Sequence, residues 1–169
     1  MPRIPMIDPN SVGNDVKIVV SDHLAQGYRI TNEKLTLLHN VTAFHALEEE
    51  SYAVDRELQR LVGKRAADFF EYAISLENEC VVCSSYFGKL LRQNEITDFD
   101  HFDFTPEEKL LIEYARAIAK DPKHVPDALF KLLKDRFDDE TIVVLTTMGV
   151  FMIANNYFND ILKVEPENG

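Results

Sequence analysis

Apolar residues recur along this chain with the spacing of α-helices. Between Lys64 and Leu76 they fall three or four residues apart, which places them on one face of a helix. These residues are Ala66, Phe69, Phe70, Ala73 and Ile74. No segment alternates convincingly between apolar and polar residues with the period of two that β-strands require. The pattern therefore predicts an all-α protein.

Helix-capping residues divide this pattern into separate helices. Thr31 favours a helix over about residues 32–49, and further helices are expected over residues 52–61, 64–76 and about 80–93. The clearest start is Thr105-Pro106-Glu107-Glu108, which combines a Thr cap, a Pro in the first turn and a Glu at the third position. Seven or eight helices in one bundle are expected.

Two further helices are predicted in the carboxyl-terminal third. A short one follows Pro126, with Leu129, Leu132 and Leu133 expected to face inward. A long one begins near Asp138 or Asp139 and runs to about Leu162.

The amino-terminal residues differ from the rest of the chain. Residues 1–14 contain Pro2, Pro5, Pro9 and Gly13, which oppose regular helix and predict an extended arm. We expect an arm and a short first helix over residues 1–30, followed by one helical domain over residues 31–169. A length of 169 residues matches a single domain with its own hydrophobic core.

The charge of the chain excludes some partners. It carries 29 acidic residues against 18 Lys and Arg, and a net charge of -11 repels nucleic acid phosphates and anionic membrane surfaces. The first residues contain no apolar run of signal-peptide length, and the longest apolar stretch, 142–154, is shorter than the ~20 residues that span a bilayer. We therefore expect a cytoplasmic protein that binds neither nucleic acid nor membranes.

The strongest chemical signal is the dithiol Cys80-Val81-Val82-Cys83 at the predicted start of a helix. Residues three apart on a helix share a face, with Cβ atoms roughly 5 to 6 Å apart, so a small adjustment closes a disulfide reversibly. The helix dipole at this end favours thiolate over thiol. The alternatives are two small buried side chains, or a zinc site, which lacks a second pair of ligands. The spacing favours redox chemistry.

Three segments resemble the carboxymuconolactone decarboxylase and alkyl hydroperoxidase D (AhpD-like) superfamily, in its peroxidase-related branch. They are DFFEYAISLENECVVCSSYF (68–87), FTPEEKLLIEYAR (104–116) and FDDETI (137–142) with the long apolar helix that follows. The resemblance as a whole covers roughly residues 30–164, and the order of these segments is more specific than the C-x-x-C alone. The resemblance implies an AhpD-like bundle with the C-x-x-C at the start of a central helix, assembled as a homo-oligomer, a trimer or hexamer.

The resemblance also implies roles for individual residues. Redox-active relatives have an acidic residue twelve positions before the first Cys and a His four positions after the second. Here these positions hold Asp68 and Phe87, so Cys80, Cys83 and Asp68 match the catalytic pattern while Phe87 replaces the proton-relay imidazole. Glu71 shares a helical face with Asp68 and is the alternative carboxylate.

Three residues are expected to line the pocket around the dithiol. Phe87, four residues after Cys83, should lie beside its sulfur and exclude water. Tyr86 offers a hydroxyl, although core packing is the other interpretation. His45, on an earlier helix, is a candidate replacement for the missing imidazole, and the alternative is an ordinary lone surface His.

The resemblance implies a peroxidase cycle on hydrogen peroxide or small organic hydroperoxides. The Cys83 thiolate attacks the peroxide and becomes a sulfenic acid, with which Cys80 condenses to a disulfide. Helix position alone favours Cys80 as the more acidic thiol, so the choice of Cys83 follows from the resemblance. Beyond the redox-active disulfide no cofactor or metal is expected, and an external protein or small-thiol reductant must restore the dithiol.

Two other functions stay open. A catalytically silent assembly protein with the same fold is favoured by Phe87, because the proton relay is lost there. A lactone decarboxylase fits less well, because the decarboxylase branch of the superfamily does not depend on such a dithiol.

Overall fold

The computed structural model describes residues 1–167. These residues form nine α-helices and no β-strand, and two of the helices are continuous, so the bundle has eight separate helical rods. The helices are α1 (Asn14–Ala25), α2 (Asn32–Leu37), α3 (Val41–Phe44), α4 (Glu50–Val62), α5 (Lys64–Glu77), α6 (Val81–Gln93), α7 (Pro106–Lys120), α8 (Asp127–Arg136) and α9 (Asp139–Leu162). A π-helical turn, His45–Glu49, joins α3 to α4 without a break, so these two count as one rod. The all-α prediction is confirmed.

Helix α5 lies at the centre of the bundle and packs against α4, α6, α7 and α9. Its apolar face is buried, as the helical spacing predicted. Phe69 makes edge-to-face contacts with Phe99 and Phe104, whose loop precedes α7. Because α5 ends at Glu77, only three residues separate this buried helix from the dithiol helix α6.

Side-chain caps begin the helices where the sequence predicted them. The Thr105 hydroxyl accepts from the Glu108 N–H, and the Glu108 carboxylate accepts from the Thr105 N–H, which completes a capping box on α7. Asp138 caps α9 by accepting from the Thr141 N–H at 2.8 Å. These local hydrogen bonds satisfy backbone donors that would otherwise lack partners inside the helix.

Two details of the helix prediction are wrong. The helix expected over residues 32–49 breaks after Leu37 and begins again at Val41, because the Asn40 side chain accepts from the Ala43 N–H and starts a new helix. Leu132, expected to face inward, is 54% exposed. Leu133 alone is buried on α8, since that helix contacts the bundle along a narrow face.

The amino-terminal arm lies on the bundle of its own chain. The Arg3 N–H donates to the Leu162 carbonyl at 2.8 Å, and the Ile7 N–H donates to the Leu35 carbonyl at 3.1 Å. A small second apolar cluster joins the arm and α1 to α2, α3 and α9 through Leu37, Leu38, Phe44, Ile7, Val16, Val19, Val20 and Phe158. The arm therefore holds α2 close to the end of α9.

Within the described residues, α9 alone is long and apolar enough to cross a membrane by length and composition. It packs against α4, α5, α6, α7 and α8, and its Leu145, Met148 and Met152 belong to the main apolar core. Its outer face exposes Val143, Val150 and Tyr157. The contacts identify α9 as a core helix of the bundle.

Candidate active site

The two cysteines occupy the first turn of α6. Cys80 is the cap residue, and its Sγ accepts the backbone N–H of Cys83 at 3.4 Å. Both thiols are free and buried, and only Cys83 lines the neighbouring cavity. The first turn of α6 therefore hydrogen-bonds the Cys80 sulfur, while the Cys83 side chain faces the cavity.

Hydrogen bonding separates the acidities of the two thiols. The Cys83 thiol donates to Cys80, and this bond, together with the Cys83 N–H, lowers the pKa of Cys80 against the opposing effect of burial. The same hydrogen bond, burial and the charge of Glu33 raise the pKa of Cys83. Cys80 is the better thiolate, while Cys83 is the more accessible sulfur.

A cavity of about 130 Å³ lies beside Cys83, between α2, α4, α5, α6 and α9. Its apolar wall comes from α6 and α9. This wall consists of Val82, Met148 and Met152. The opposite wall is polar and charged, with residues from α2, the π-helical turn, α4 and α5. Its ionisable side chains include Glu33, Lys34, Glu48, Tyr52, Asp55 and Glu71.

An amide from α9 holds the Cys83 sulfur. Asn159 is 1% exposed, and its Nδ2 donates to Cys83 Sγ at 3.3 Å. The same side chain lies near Glu33, a carboxyl on α2 that also lines the cavity, and favours its charged form. Burial and the charge of Glu48 raise the pKa of Glu33 to about 8. A carboxyl group with a pKa near neutral pH therefore lies in the same cavity as the thiol, beside the amide that contacts the sulfur.

The charged wall of the cavity contains a buried ion pair between Lys34 and Glu48. The Lys34 Nζ lies 3.6 Å from a Glu48 carboxylate oxygen and donates to the Tyr52 hydroxyl at 2.6 Å and to the Arg29 carbonyl at 2.8 Å. Burial lowers the pKa of Lys34 and raises that of Glu48, while each partner's charge opposes the shift of the other. These bonds fix α2 against the π-helical turn and so position Glu33.

The two carboxylates expected on α5 occupy different environments. Glu71 is buried and lines the cavity with Cys83, whereas the Asp68 carboxylate accepts from the Lys64 Nζ at 2.8 and 2.9 Å. Burial and the neighbouring carboxylate of Asp55 raise the pKa of Glu71 well above its usual range. Asp68 is also buried but lines a different pocket, together with Lys64 and Arg65, so of the two only Glu71 shares the cavity of Cys83.

The three residues that were expected to line the pocket also lie in different environments. Tyr86 lines the cavity, and burial raises the pKa of its hydroxyl. Phe87 packs in the main apolar core and contacts Tyr86 edge to face at 5.2 Å between ring centroids. His45 Nδ1 lies 2.5 Å from the Glu49 carboxylate on the π-helical turn, and both side chains are more than two-fifths exposed. Among the described residues, neither Phe87 nor His45 contributes to the cavity wall.

The sequence pattern did not identify Glu33, Lys34 and Asn159 as site residues. They come from α2 and α9, more than 120 positions apart, so no local spacing connects them. One signal was present, because Asn155, Asn156 and Asn159 interrupt an otherwise apolar helix. Asn156 is completely buried, and Asn155 lines the cavity. Polar side chains in a buried helix generally have a partner or a function.

The comparison with known proteins finds similarity to solved structures and to no other class of protein. No family model and no curated protein matches this chain. An uncharacterised peroxidase-related protein from Silicibacter sp. TM1040 is similar over 97% of this chain and 90% of its own, with a TM-score of 0.75 and 16% identity.

A second solved structure is similar over a smaller part of the chain. It is a protein of unknown function from Agrobacterium tumefaciens, described as a candidate antioxidant defence protein AhpD. The similarity covers 72% of this chain and 90% of that one, with a TM-score of 0.59 and 20% identity. The resemblance to AhpD-like, peroxidase-related proteins is thus confirmed at the level of the fold, and this chain is an AhpD-like helical bundle.

Proposed function

We propose that the protein is a thiol-dependent oxidoreductase that reduces hydrogen peroxide or small organic hydroperoxides through Cys83 and Cys80. The supporting observation is a free, hydrogen-bonded dithiol whose Cys83 sulfur lines a cavity, in a bundle with the fold of peroxidase-related proteins. A cavity of about 130 Å³ favours small substrates over bulky ones.

The reaction proceeds in two steps on the protein. The Cys83 thiolate attacks the terminal oxygen of the hydroperoxide, the O–O bond breaks, and the alkoxide takes up the proton that the thiol released. The Cys80 thiolate then attacks the Cys83 sulfenic acid, a disulfide forms, and water leaves with the remaining proton. Two electrons from an external protein or small-molecule thiol restore the dithiol, so no other cofactor is needed.

Mass spectrometry of the intact protein after mild peroxide exposure tests this function. The wild-type chain should lose the mass of two hydrogen atoms, and a thiol reductant should reverse the change. Cys80→Ser should instead gain one oxygen as a Cys83 sulfenic acid, and Cys83→Ser should stay unmodified under the same conditions. Wild-type thiols that stay reduced at high peroxide concentration would remove the proposal.

A catalytically silent assembly protein is the second candidate. The observation that favours it is Phe87, which packs in the core at the position where redox-active relatives carry an imidazole. This candidate predicts no disulfide after peroxide treatment, so the same experiment distinguishes the two functions.

A further inference from the structure

We propose that Glu33 accepts the thiol proton of Cys83 and that Asn159 positions the sulfur for this transfer. The proposal rests on the proposed function, because it assigns the base of the same dithiol reaction. Glu33 lies outside the resembling segments and on a different helix from the acidic positions of α5.

The first support is the arrangement around Asn159. Its amide donates to Cys83 Sγ at 3.3 Å, and the same buried side chain lies close enough to the Glu33 carboxyl to lower the pKa of that group. Cys83 and Glu33 line the same cavity, where a proton can pass directly or through one water molecule. An amide does not itself take up the proton, so Asn159 is a positioning residue.

The second support is an unpartnered carboxyl oxygen. Glu33 Oε1 is buried and accepts no hydrogen bond from the described residues. A buried polar atom without a partner is costly, and native proteins keep such atoms mainly where a function or an ordered water uses them. This oxygen is available to take a proton that arrives from the cavity.

The charges that face Glu33 set its titration range. Burial and Glu48 raise its pKa to about 8, and Lys34, one residue away, opposes the shift. Cys80 adds a further negative charge across the site. The other charged residues of the cavity wall are Arg29, Asp55, Glu71, Lys89 and Glu167. A base that titrates close to neutral pH exchanges protons efficiently with a thiol.

The other carboxylates are less suited to this role. Glu48 is held by the Lys34 ammonium, and Asp68 is held by Lys64. Glu71 interacts with Asp55 and Asp68. The carboxylate charge that raises the pKa of Cys83 comes from Glu33. The Glu33 carboxylate takes the proton as the thiolate forms, and it returns that proton to the alkoxide that leaves the peroxide.

The test compares Glu33→Gln with wild type by the pH dependence of Cys83 reactivity. Two readouts are used, the rate of disulfide formation with hydrogen peroxide and the rate of Cys83 alkylation by iodoacetamide, mapped by mass spectrometry. Loss of the base should slow both reactions at neutral pH by about 10²-fold, because no group then accepts the thiol proton during the attack.

The sign of the effect separates this role from a structural or purely electrostatic one. The Glu33 charge raises the pKa of Cys83, so simple removal of that charge would lower the pKa and speed both reactions at neutral pH. Rates that rise or stay unchanged in Glu33→Gln would overturn the proposal. Glu33→Asp keeps a carboxylate and should recover part of the rate.

Two further variants complete the experiment. Glu50→Gln removes an exposed carboxylate of α4 outside the described cavity wall and should react as wild type does. Asn159→Leu keeps the size of a buried side chain but loses the amide, and it should slow alkylation although Glu33 is present. If wild type forms no disulfide with peroxide, the proposed function fails, and the alkylation profiles alone still decide whether Glu33 is the base.

Discussion

The backbone N–H of Cys83 donates to the sulfur of Cys80 at 3.4 Å, which makes Cys80 the cap of α6. The cap explains why the two thiols differ. Cys80 receives hydrogen bonds that favour its thiolate but is completely buried, whereas Cys83 lines the cavity and has a raised pKa. A reactive thiol needs both a low pKa and access to its substrate. Here Cys80 has the lower pKa, and Cys83 has the access.

Replacement of Cys80 by alanine should lower the pKa of Cys83. The substitution removes the acceptor of the Cys83 thiol proton and the negative charge nearby, both of which favour the neutral thiol. Ultraviolet thiolate absorbance followed against pH in Cys80→Ala measures the change, with the pH dependence of Cys83 alkylation in wild type as reference. Cys83→Ala is the matched control, and there the pKa of Cys80 should rise because the thiol donor is lost. Identical Cys83 profiles with and without Cys80 would contradict the thiol hydrogen bond.

Glu71→Gln should stabilise the protein at neutral and higher pH. The folded-state pKa of Glu71 is raised by burial and by Asp55, so the folded protein keeps a proton that the unfolded chain loses above about pH 4.3. Stability from this group is present below that pH and is lost as the pH rises towards the folded-state pKa. The variant should therefore increase the melting temperature more at pH 8 than at pH 4.

Glu113→Gln is the control for this pH dependence, because it removes an exposed carboxylate from α7. It should leave the difference between the two pH values unchanged. A Glu71→Gln protein whose stability changes equally at both pH values would show that Glu71 keeps the same pKa in the folded and unfolded states, which would contradict its raised pKa.

Thr105→Ala should lower the free energy of unfolding by about 1 kcal/mol. The hydroxyl of Thr105 caps the first turn of α7 within a capping box, and Glu108 also pairs with Arg65 at 2.6 Å. Chemical denaturation of both proteins measures the difference. Thr42→Ala, at an exposed position of α3, should change stability much less. Equal effects of the two substitutions would show that the capping box adds little.

The sequence predicted the helices whose signals are local. The caps at Thr105 and Asp138 and the apolar stripe of α5 are short-range patterns, and the helices appear where these patterns place them. The break between α2 and α3 was missed because its apolar residues continue the helical spacing across Leu38. The competing signal was Asn40, whose side chain caps the next helix instead of continuing the previous one.

The candidate site was predictable only as far as it is local. Cys80, Cys83 and Tyr86 lie on one helix, so their proximity follows from spacing. Asn159 contacts Cys83, and Glu33 shares its cavity, because the amino-terminal arm and α9 bring α2 towards the dithiol. Only tertiary packing determines that arrangement. The different environments of Asp68 and Glu71 depend on whether Lys64 or the cavity lies beside each carboxyl.

The homo-oligomer that the resemblance implies stays a prediction. The chain has a mass of 19.4 kDa, so light scattering at micromolar concentration should give three or six times this value. Dilution over two orders of magnitude should leave the mass unchanged if the assembly is obligate. A mass equal to a single chain at every concentration would contradict it.

Phe87→His should restore an imidazole near Cys83 and lower the pKa of its thiol. Residues 83 and 87 are four apart on α6 and share a face, and a protonated imidazole there stabilises the thiolate. Phe87 is buried in the main core, so the substitution should also lower the free energy of unfolding by about 3 kcal/mol. Cys83 alkylation against pH and thermal unfolding measure the two effects separately.

Phe87→Leu is the matched control, because it removes the aromatic ring without adding a titratable group. It should destabilise the fold and leave the pKa of Cys83 nearly unchanged, so a lower pKa confined to the His variant would be a direct effect of the imidazole. If Cys83 alkylation has the same pH dependence in Phe87→His and Phe87→Leu, residue 87 does not lie beside the Cys83 sulfur. In that case the base of this dithiol must come from the cavity side, where Asn159 and Glu33 lie.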